Sequence, residues 1–191
     1  LILGLAGSGK SRLLEFAVES ARSRGFVVLP GMADESDRHT PYGVLLDAFR
    51  RFRRGLSEAE EDWDAWLNPA LQWTKVVTFE AGADLQSAQQ AFEDIYGCLN
   101  RAEPVLLALE DLHWADEASL DVLLRLVREL DGTRMCILAT CRTEGLMGDP
   151  ERAGRIHRVM RQPGAQDLQL TGLTLAEVGE VVDCVMPGRG A

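Results

Sequence analysis

The chain has 191 residues, is 46% hydrophobic and carries a formal net charge of -10. That length suffices for one domain with its own core, and the acidity argues against a nucleic-acid-binding surface, which needs clustered Lys and Arg to neutralise phosphates. Four cysteines, Cys98, Cys136, Cys141 and Cys184, have neither the C-x-x-C spacing of a zinc site nor the density of a secreted disulfide scaffold, so reduced thiols in a cytoplasmic protein are expected. No run approaches about 18 apolar residues and no signal-peptide pattern is present, so neither a membrane span nor a membrane partner is expected.

Leu1 to Leu3 form a short apolar stub that reads as a strand, and a glycine-rich loop follows. From Lys10, the residues Leu13, Leu14, Ala17, Val18 and Ala21 make one stripe of helical period, with Gly25 where a C-terminal cap belongs. Phe26 to Leu29 reads as a buried strand ended by Pro30-Gly31. Pro41 stands at the first turn of a helix from about Tyr42 to Arg54. The basic cluster Arg50, Arg51, Arg53 and Arg54, flanked by the acidic run Glu58 to Asp64, reads as a solvated helix face. Residues 55 to 86 give the least clear signal and are expected to hold helical pieces forming an insertion, a lid or a partner surface.

A helical stripe resumes from Ser87 to Arg101 and Pro104 closes it. Val105 to Leu109, apolar on both faces, suits the middle of a parallel sheet covered by helices. Asp116 is placed to cap a helix through Leu120, Leu123, Leu124, Val127 and Leu130, which Asp131-Gly132 ends. Met135 to Ala139 is a further buried strand, with Thr140-Cys141-Arg142 just past its end. A strand from Asp167 to Leu173 and an amphipathic helix from Thr174 to Val185 complete the chain. Strands alternating with helices define an α/β domain with a mostly parallel sheet.

Gly4, Gly9, Lys10 and Ser11 satisfy the phosphate-loop pattern G-x-x-x-x-G-K-[ST]. The glycines let backbone N-H groups turn inward on a β-phosphate, Lys10 reaches the β- and γ-phosphates as a point charge, and Ser11 offers a hydroxyl to Mg²⁺. The helix that follows adds its positive end to the anion site. The loop Gly4, Leu5, Ala6, Gly7, Ser8, Gly9, Lys10 and Ser11, together with Arg12, is therefore the candidate nucleotide-binding segment. At ordinary residue frequencies the pattern arises by chance roughly once in 150 chains of this length. A strand before and a helix after it make chance a poorer account still. The dinucleotide fingerprint G-x-G-x-x-G fails, because Arg12 stands at its last position.

Hydrolysis also needs carboxylates near the γ-phosphate to hold Mg²⁺ and orient water. Glu110 and Asp111, at the end of VLLAL, are the candidates for both tasks, and the sequence leaves open which of them faces the metal. Arg142 follows the next strand at the edge where ligands of such sheets gather, so a cation there can stabilise or sense charge on the γ-phosphate. His113 and Trp114 come directly after the acids; packing and capping is the plain reading of both, and the preferred one for Trp114.

The stretches GLAGSGKSRLLEF, TPYGVLLDAFR, PVLLALEDLHWADEASLDVLLRL and ILATCRTE, in that order, resemble the ATPase domain of large bacterial regulators with LuxR-type DNA-binding tails. This class is called origin-recognition-complex-like AAA ATPase and belongs with the STAND signalling ATPases. The string Glu110 to Asp116 is its most specific part, and Leu168 to Val178 is similar to the segment that leaves the ATPase core for a following module. The resemblance implies a P-loop NTPase three-layer sandwich, with the P-loop at Gly4 to Ser11, Walker B acids at Glu110 and Asp111, and a sensor arginine at Arg142. It places the Met135 strand between the P-loop strand and the Val105 strand.

It also implies ATP and ADP as ligands with Mg²⁺, a nucleotide-driven switch, and nucleotide-dependent oligomerisation of the whole protein. DNA would be reached through a helix-turn-helix module that this chain does not contain. The upstream segment that contacts adenine in the family is likewise absent, so one domain truncated at its N-terminus, part of a longer protein, is expected. Departing from the family's usual Asp, Glu110 keeps a second expectation open: a non-catalytic nucleotide-binding or scaffold module. A phosphotransferase acting on a small molecule is a third, and it lacks an evident substrate lid.

Overall fold

The structure, a computed structural model, describes residues 1–55, 85–100 and 103–185. The expected insertion or lid over residues 55 to 86 lies almost wholly outside the described residues. Five strands, β1 (Ile2–Gly4), β2 (Val27–Met32), β3 (Val105–Glu110), β4 (Met135–Arg142) and β5 (Leu168–Leu170), form one sheet in the order β2-β3-β4-β1-β5. Every pairing is parallel, as strands joined by helical crossovers require. The strand from Met135 thus lies between the P-loop strand and the Val105 strand.

Two layers of helices cover the sheet. On one face α1 (Lys10–Ser23) packs Leu14 against Val28, Leu106 and Ala108, with Val18 and Ala21 beside them. On the other face lie α2 (Gly43–Arg54), α3 (Leu85–Leu99), α4 (Glu117–Arg128) and α5 (Pro150–Met160). Their buried side chains, including Leu45, Phe49, Ile95, Leu99, Leu123 and Ile156, join Leu29, Leu107 and Leu109 in the main core. Alternation along β3 explains the division, since even and odd residues of a strand face opposite sides. The domain is therefore an α/β sandwich of three layers. The last helix, α6 (Leu175–Val185), buries none of its residues.

Several boundaries differ from those expected. β2 does not stop at Leu29 but runs through Pro30 and Gly31 to Met32. It is an edge strand, where a missing N-H leaves no ladder bond unmade. Gly31 also admits α2: a Cβ there would stand 2.7 Å from the Val44 carbonyl oxygen and 2.9 Å from the Ala48 Cβ. β4 continues three residues beyond Ala139, because β1 pairs with it through Ile2 with Thr140, Leu3 with Cys141 and Gly4 with Arg142. β5 covers only three of the seven residues expected, matching the three of β1 that pair with it.

α2 begins at Gly43 rather than at Pro41 or Tyr42. Tyr42 is its N-cap in the left-handed region, with φ 63°. Asp116 fixes this turn from a distance: its Oδ1 accepts the Tyr42 N-H at 2.8 Å and its Oδ2 the Gly43 N-H at 3.0 Å. The same carboxylate caps α4, accepting the Ser119 N-H at 2.9 Å. Of the arginines at the end of α2, Arg51 pairs with Asp47 one turn earlier, and all four lie exposed.

Candidate functional site

The carboxyl ends of β1, β3 and β4 meet at a cleft of about 300 Å³ lined by Ala6, Gly7, Gly9, Lys10, Ser11, Arg12, Asp111 and Arg142. Local sequence builds its floor. Gly7 and Gly9 take φ 76° and 91°, values that side chains resist, and these turns wrap the chain from β1 into α1. Gly9 is the N-cap of α1 and offers no side chain to the first-turn N-H groups, nor does that turn carry an acid. Those N-H groups and the helix dipole are accordingly left for an anion.

The other loop residues support this cradle. Gly4 closes β1 where a Cβ would stand 2.5 Å from Ser8 Oγ and 2.7 Å from the Leu170 carbonyl oxygen. Ser8 tucks its hydroxyl inward, where it has no partner among the described residues, and its N-H donates to the Leu5 carbonyl at 3.2 Å. The Leu5 side chain points outward and is exposed. Lys10 is buried, its Nζ donating to the Leu5 carbonyl at 2.6 Å. Arg12 turns along α1 to pair with Glu15 at 3.1 Å.

The two acids part company at the end of β3. Glu110 belongs to the face of the strand that carries Leu106 and Ala108, and it lines an adjoining cleft with Glu15, Met32 and Arg51. Asp111 leaves the strand in the left-handed region, with φ 53° and ψ 46°, a conformation Asp tolerates better than most residues. Its N-H donates to Thr140 Oγ1 at 3.0 Å. This turn brings Asp111, and not Glu110, into the lining of the P-loop cleft.

Arg142 lies across from Asp111, with its Nη2 3.3 Å from Asp111 Oδ2. It stands beside Gly4 in the sheet register, so the guanidinium reaches the mouth of the loop. Its backbone N-H donates to His113 Nδ1 at 3.4 Å. His113 is 1% exposed, and burial lowers its pKa to about 4, against the opposing pull of the Asp111 carboxylate. The imidazole is therefore neutral, and its Nδ1 lies 3.7 Å from Asp111 Oδ1 without forming an ion pair. Burial likewise pushes the Cys141 thiol up to about 12, which keeps it inert beside the site.

Three participants escape a reading of the sequence. Thr140 pins Asp111 and is buried; a lone hydroxyl closing an apolar strand is its signal. His113 couples to Arg142 across 29 positions, with no local signature. Glu144, whose Oε1 accepts the Ala6 N-H at 3.4 Å, has none either.

The donor set fits a magnesium-bound phosphate chain. The Ser11 hydroxyl and Asp111 carboxylate are hard oxygen donors in one cleft, the kind Mg²⁺ takes when phosphates complete its shell. Among the described residues, no three His, Cys, Asp or Glu side chains gather as a self-sufficient metal site. No helix of the described residues is long and apolar enough to cross a membrane.

A five-stranded parallel sheet with a P-loop at the end of β1, an acid at the end of β3 and an arginine at the end of β4 defines a nucleotide-binding P-loop ATPase domain. Residues 1–138 match the family model described as AAA ATPase domain, and the chain belongs to that family. A solved structure, the Aeropyrum pernix ORC1 protein in complex with DNA, is similar in fold: the TM-score is 0.51 at 18% identity over 96% of this chain. The match spans 42% of that protein's chain. No curated protein matches the sequence significantly.

Proposed function

We propose that this chain is an ATP-binding, slowly ATP-hydrolysing switch domain of a signal-responsive transcriptional regulator. The observation that carries the reading is the convergence of Lys10, Ser11, Asp111 and Arg142 on one cleft. In it, backbone N-H groups from Gly7 to Ser11 cradle the phosphates and the Lys10 ammonium neutralises the β and γ oxygens. Ser11 and Asp111 would hold Mg²⁺, which would supply charge neutralisation to the bound phosphates. Asp111, the carboxylate on the cleft, orients the attacking water, and Arg142 meets charge on the terminal phosphate.

The ion pair between Arg142 and Asp111 supports a switch rather than a fast enzyme. A terminal phosphate competes with Asp111 for the same guanidinium, so triphosphate and diphosphate states favour different placements of the β4 end. The role in transcription, with DNA reached through a separate helix-turn-helix module, rests on the resemblance of the motifs from Gly4 to Glu144. So does nucleotide-dependent oligomerisation. The net charge of -10 disfavours DNA contact by this segment itself.

The reading is tested by equilibrium ATP binding to the wild type and to Lys10→Ala. Affinity is expected to fall at least tenfold in the variant, roughly the worth of one charge-assisted contact to phosphate; unchanged affinity would sink the idea. A second reading, nucleotide binding without turnover in a scaffold, is favoured by Glu110 lining the adjoining cleft, which leaves Asp111 as the acid on the P-loop cleft. Steady-state phosphate release decides between them. Turnover abolished by Asp111→Asn or Glu110→Gln rejects the scaffold, and absence of turnover in the wild type rejects the ATPase.

A further inference from the structure

His113 sits at a junction that packing does not explain. It lies in a one-turn 3-10 helix, Leu112–Trp114, two residues past Asp111, and its side chain is almost fully buried. The ring is held on several sides. Gly145 approaches so closely that a Cβ there would stand 2.4 Å from His113 Cδ2 and 2.8 Å from Cγ. The Trp114 ring lies 5.0 Å away between centroids. The His113 carbonyl accepts from Arg152 Nη1 at 3.3 Å, and Arg152 is itself tied to Asp149 at 3.2 Å.

One nitrogen of this clamped ring is used and the other is not. Nδ1 accepts the Arg142 N-H, which requires the proton to be on Nε2, and Nε2 is buried without a partner among the described residues. An orphaned buried donor is unfavourable, and a leucine of similar bulk would avoid it. The acceptor at Nδ1 therefore has a use that outweighs the orphan. It faces the last residue of β4, whose neighbour Thr143 donates its N-H to the Gly4 carbonyl at 3.3 Å, joining the strand end to the P-loop.

We propose that His113 is a positioning residue: it holds the Arg142 backbone so that the guanidinium meets the terminal phosphate of a bound nucleoside triphosphate. The inference rests on the reading of Arg142 given under the proposed function. His113 touches neither nucleotide nor metal in this role. It sets the ratio of ATP to ADP affinity through Arg142, and it passes the position of Arg142 to α5 through the Arg152 contact with its carbonyl.

The test is equilibrium binding of ATP and of ADP to the wild type and to Arg142→Ala, His113→Leu, His113→Asn and the double variant His113→Leu/Arg142→Ala. Arg142→Ala is expected to weaken ATP about ten- to hundredfold, the usual worth of a hydrogen bond between charged groups, and to leave ADP within about twofold. His113→Leu is expected to show the same selective loss, and the double variant to lose no more than Arg142→Ala alone, as coupled residues do. His113→Asn, whose amide oxygen can stand where Nδ1 stands, is expected to keep most of the selectivity. Equal weakening of ATP and ADP by His113→Leu, or full additivity with Arg142→Ala, overturns the proposal. Should His113→Leu fail to fold, Gly145→Ala, which crowds the same ring, replaces it with the same two outcomes. Loss of ATP selectivity missing from Arg142→Ala itself overturns the underlying reading of Arg142 and this inference with it, whereas loss present there and absent from the His113 variants overturns this inference alone.

Discussion

The carboxylate of Asp116 holds the backbone N-H of Tyr42 at 2.8 Å across 74 positions of sequence. One buried acid thereby ends two loops, fixing the left-handed turn at Tyr42 that starts α2 and capping α4 through Ser119. The pairing matters for the site because α4 follows directly on the Asp111–Trp114 turn. Asp116→Ala leaves the N-H groups of Tyr42 and Gly43 without their acceptor in a dry environment and removes one cap. With charge-assisted bonds worth about 1.5–3 kcal/mol and a cap about 1 kcal/mol, a destabilisation of at least about 3 kcal/mol is expected. Urea unfolding measures it, with the slope unchanged if the native compactness is kept. A loss under about 1 kcal/mol would show that the two helix starts do not depend on this carboxylate.

Two glycines predict opposite signs for the same substitution. At Gly31 an added methyl meets the Val44 carbonyl oxygen at 2.7 Å and Ala48 Cβ at 2.9 Å. Both are on α2, which must be pushed off the sheet, so Gly31→Ala is expected to destabilise by about 1–3 kcal/mol. At Gly97, inside α3, a Cβ meets nothing within 4 Å among the described residues, and Ala is the better helix former by about 0.8–1 kcal/mol. Gly97→Ala is expected to raise the midpoint of thermal unfolding and Gly31→Ala to lower it. The same sign from both would contradict the close approach of α2 to β2.

The features legible in the sequence are those whose causes are local. The P-loop needs only the short run from Gly4 to Ser11 that holds Gly9 and Lys10, and a strand needs only a run such as VLLAL. Positions set by the third dimension were not legible. That Pro30 and Gly31 continue β2 follows from its place at the sheet edge. The start of α2 depends on Asp116, far along the chain. The separation of Glu110 from Asp111 into two clefts comes from a left-handed residue pinned by Thr140, which no local pattern announces. The order of β4 between β1 and β3 came from the resemblance, because periodicity alone does not rank strands in a sheet.

His113 ties the stability of the domain to pH. Its pKa is about 4 in the folded chain, chiefly through burial, against an ordinary value of 6.5. The fold thus disfavours the protonated ring, and the unfolded chain binds the proton more readily below the ordinary value. The stability associated with the neutral ring is fully present above about pH 6.5 and is lost as pH falls from there toward 4. Between pH 7.5 and 5.0 the linkage removes about 2 kcal/mol from the wild type. Asn at this position has no proton to take up, so His113→Asn should lack this component while sharing the titration of every other group. Urea unfolding of both proteins at the two pH values, in buffer free of nucleotide and Mg²⁺, measures the difference. Equal losses in the two would mean that burial does not hold His113 neutral down to pH 5.0.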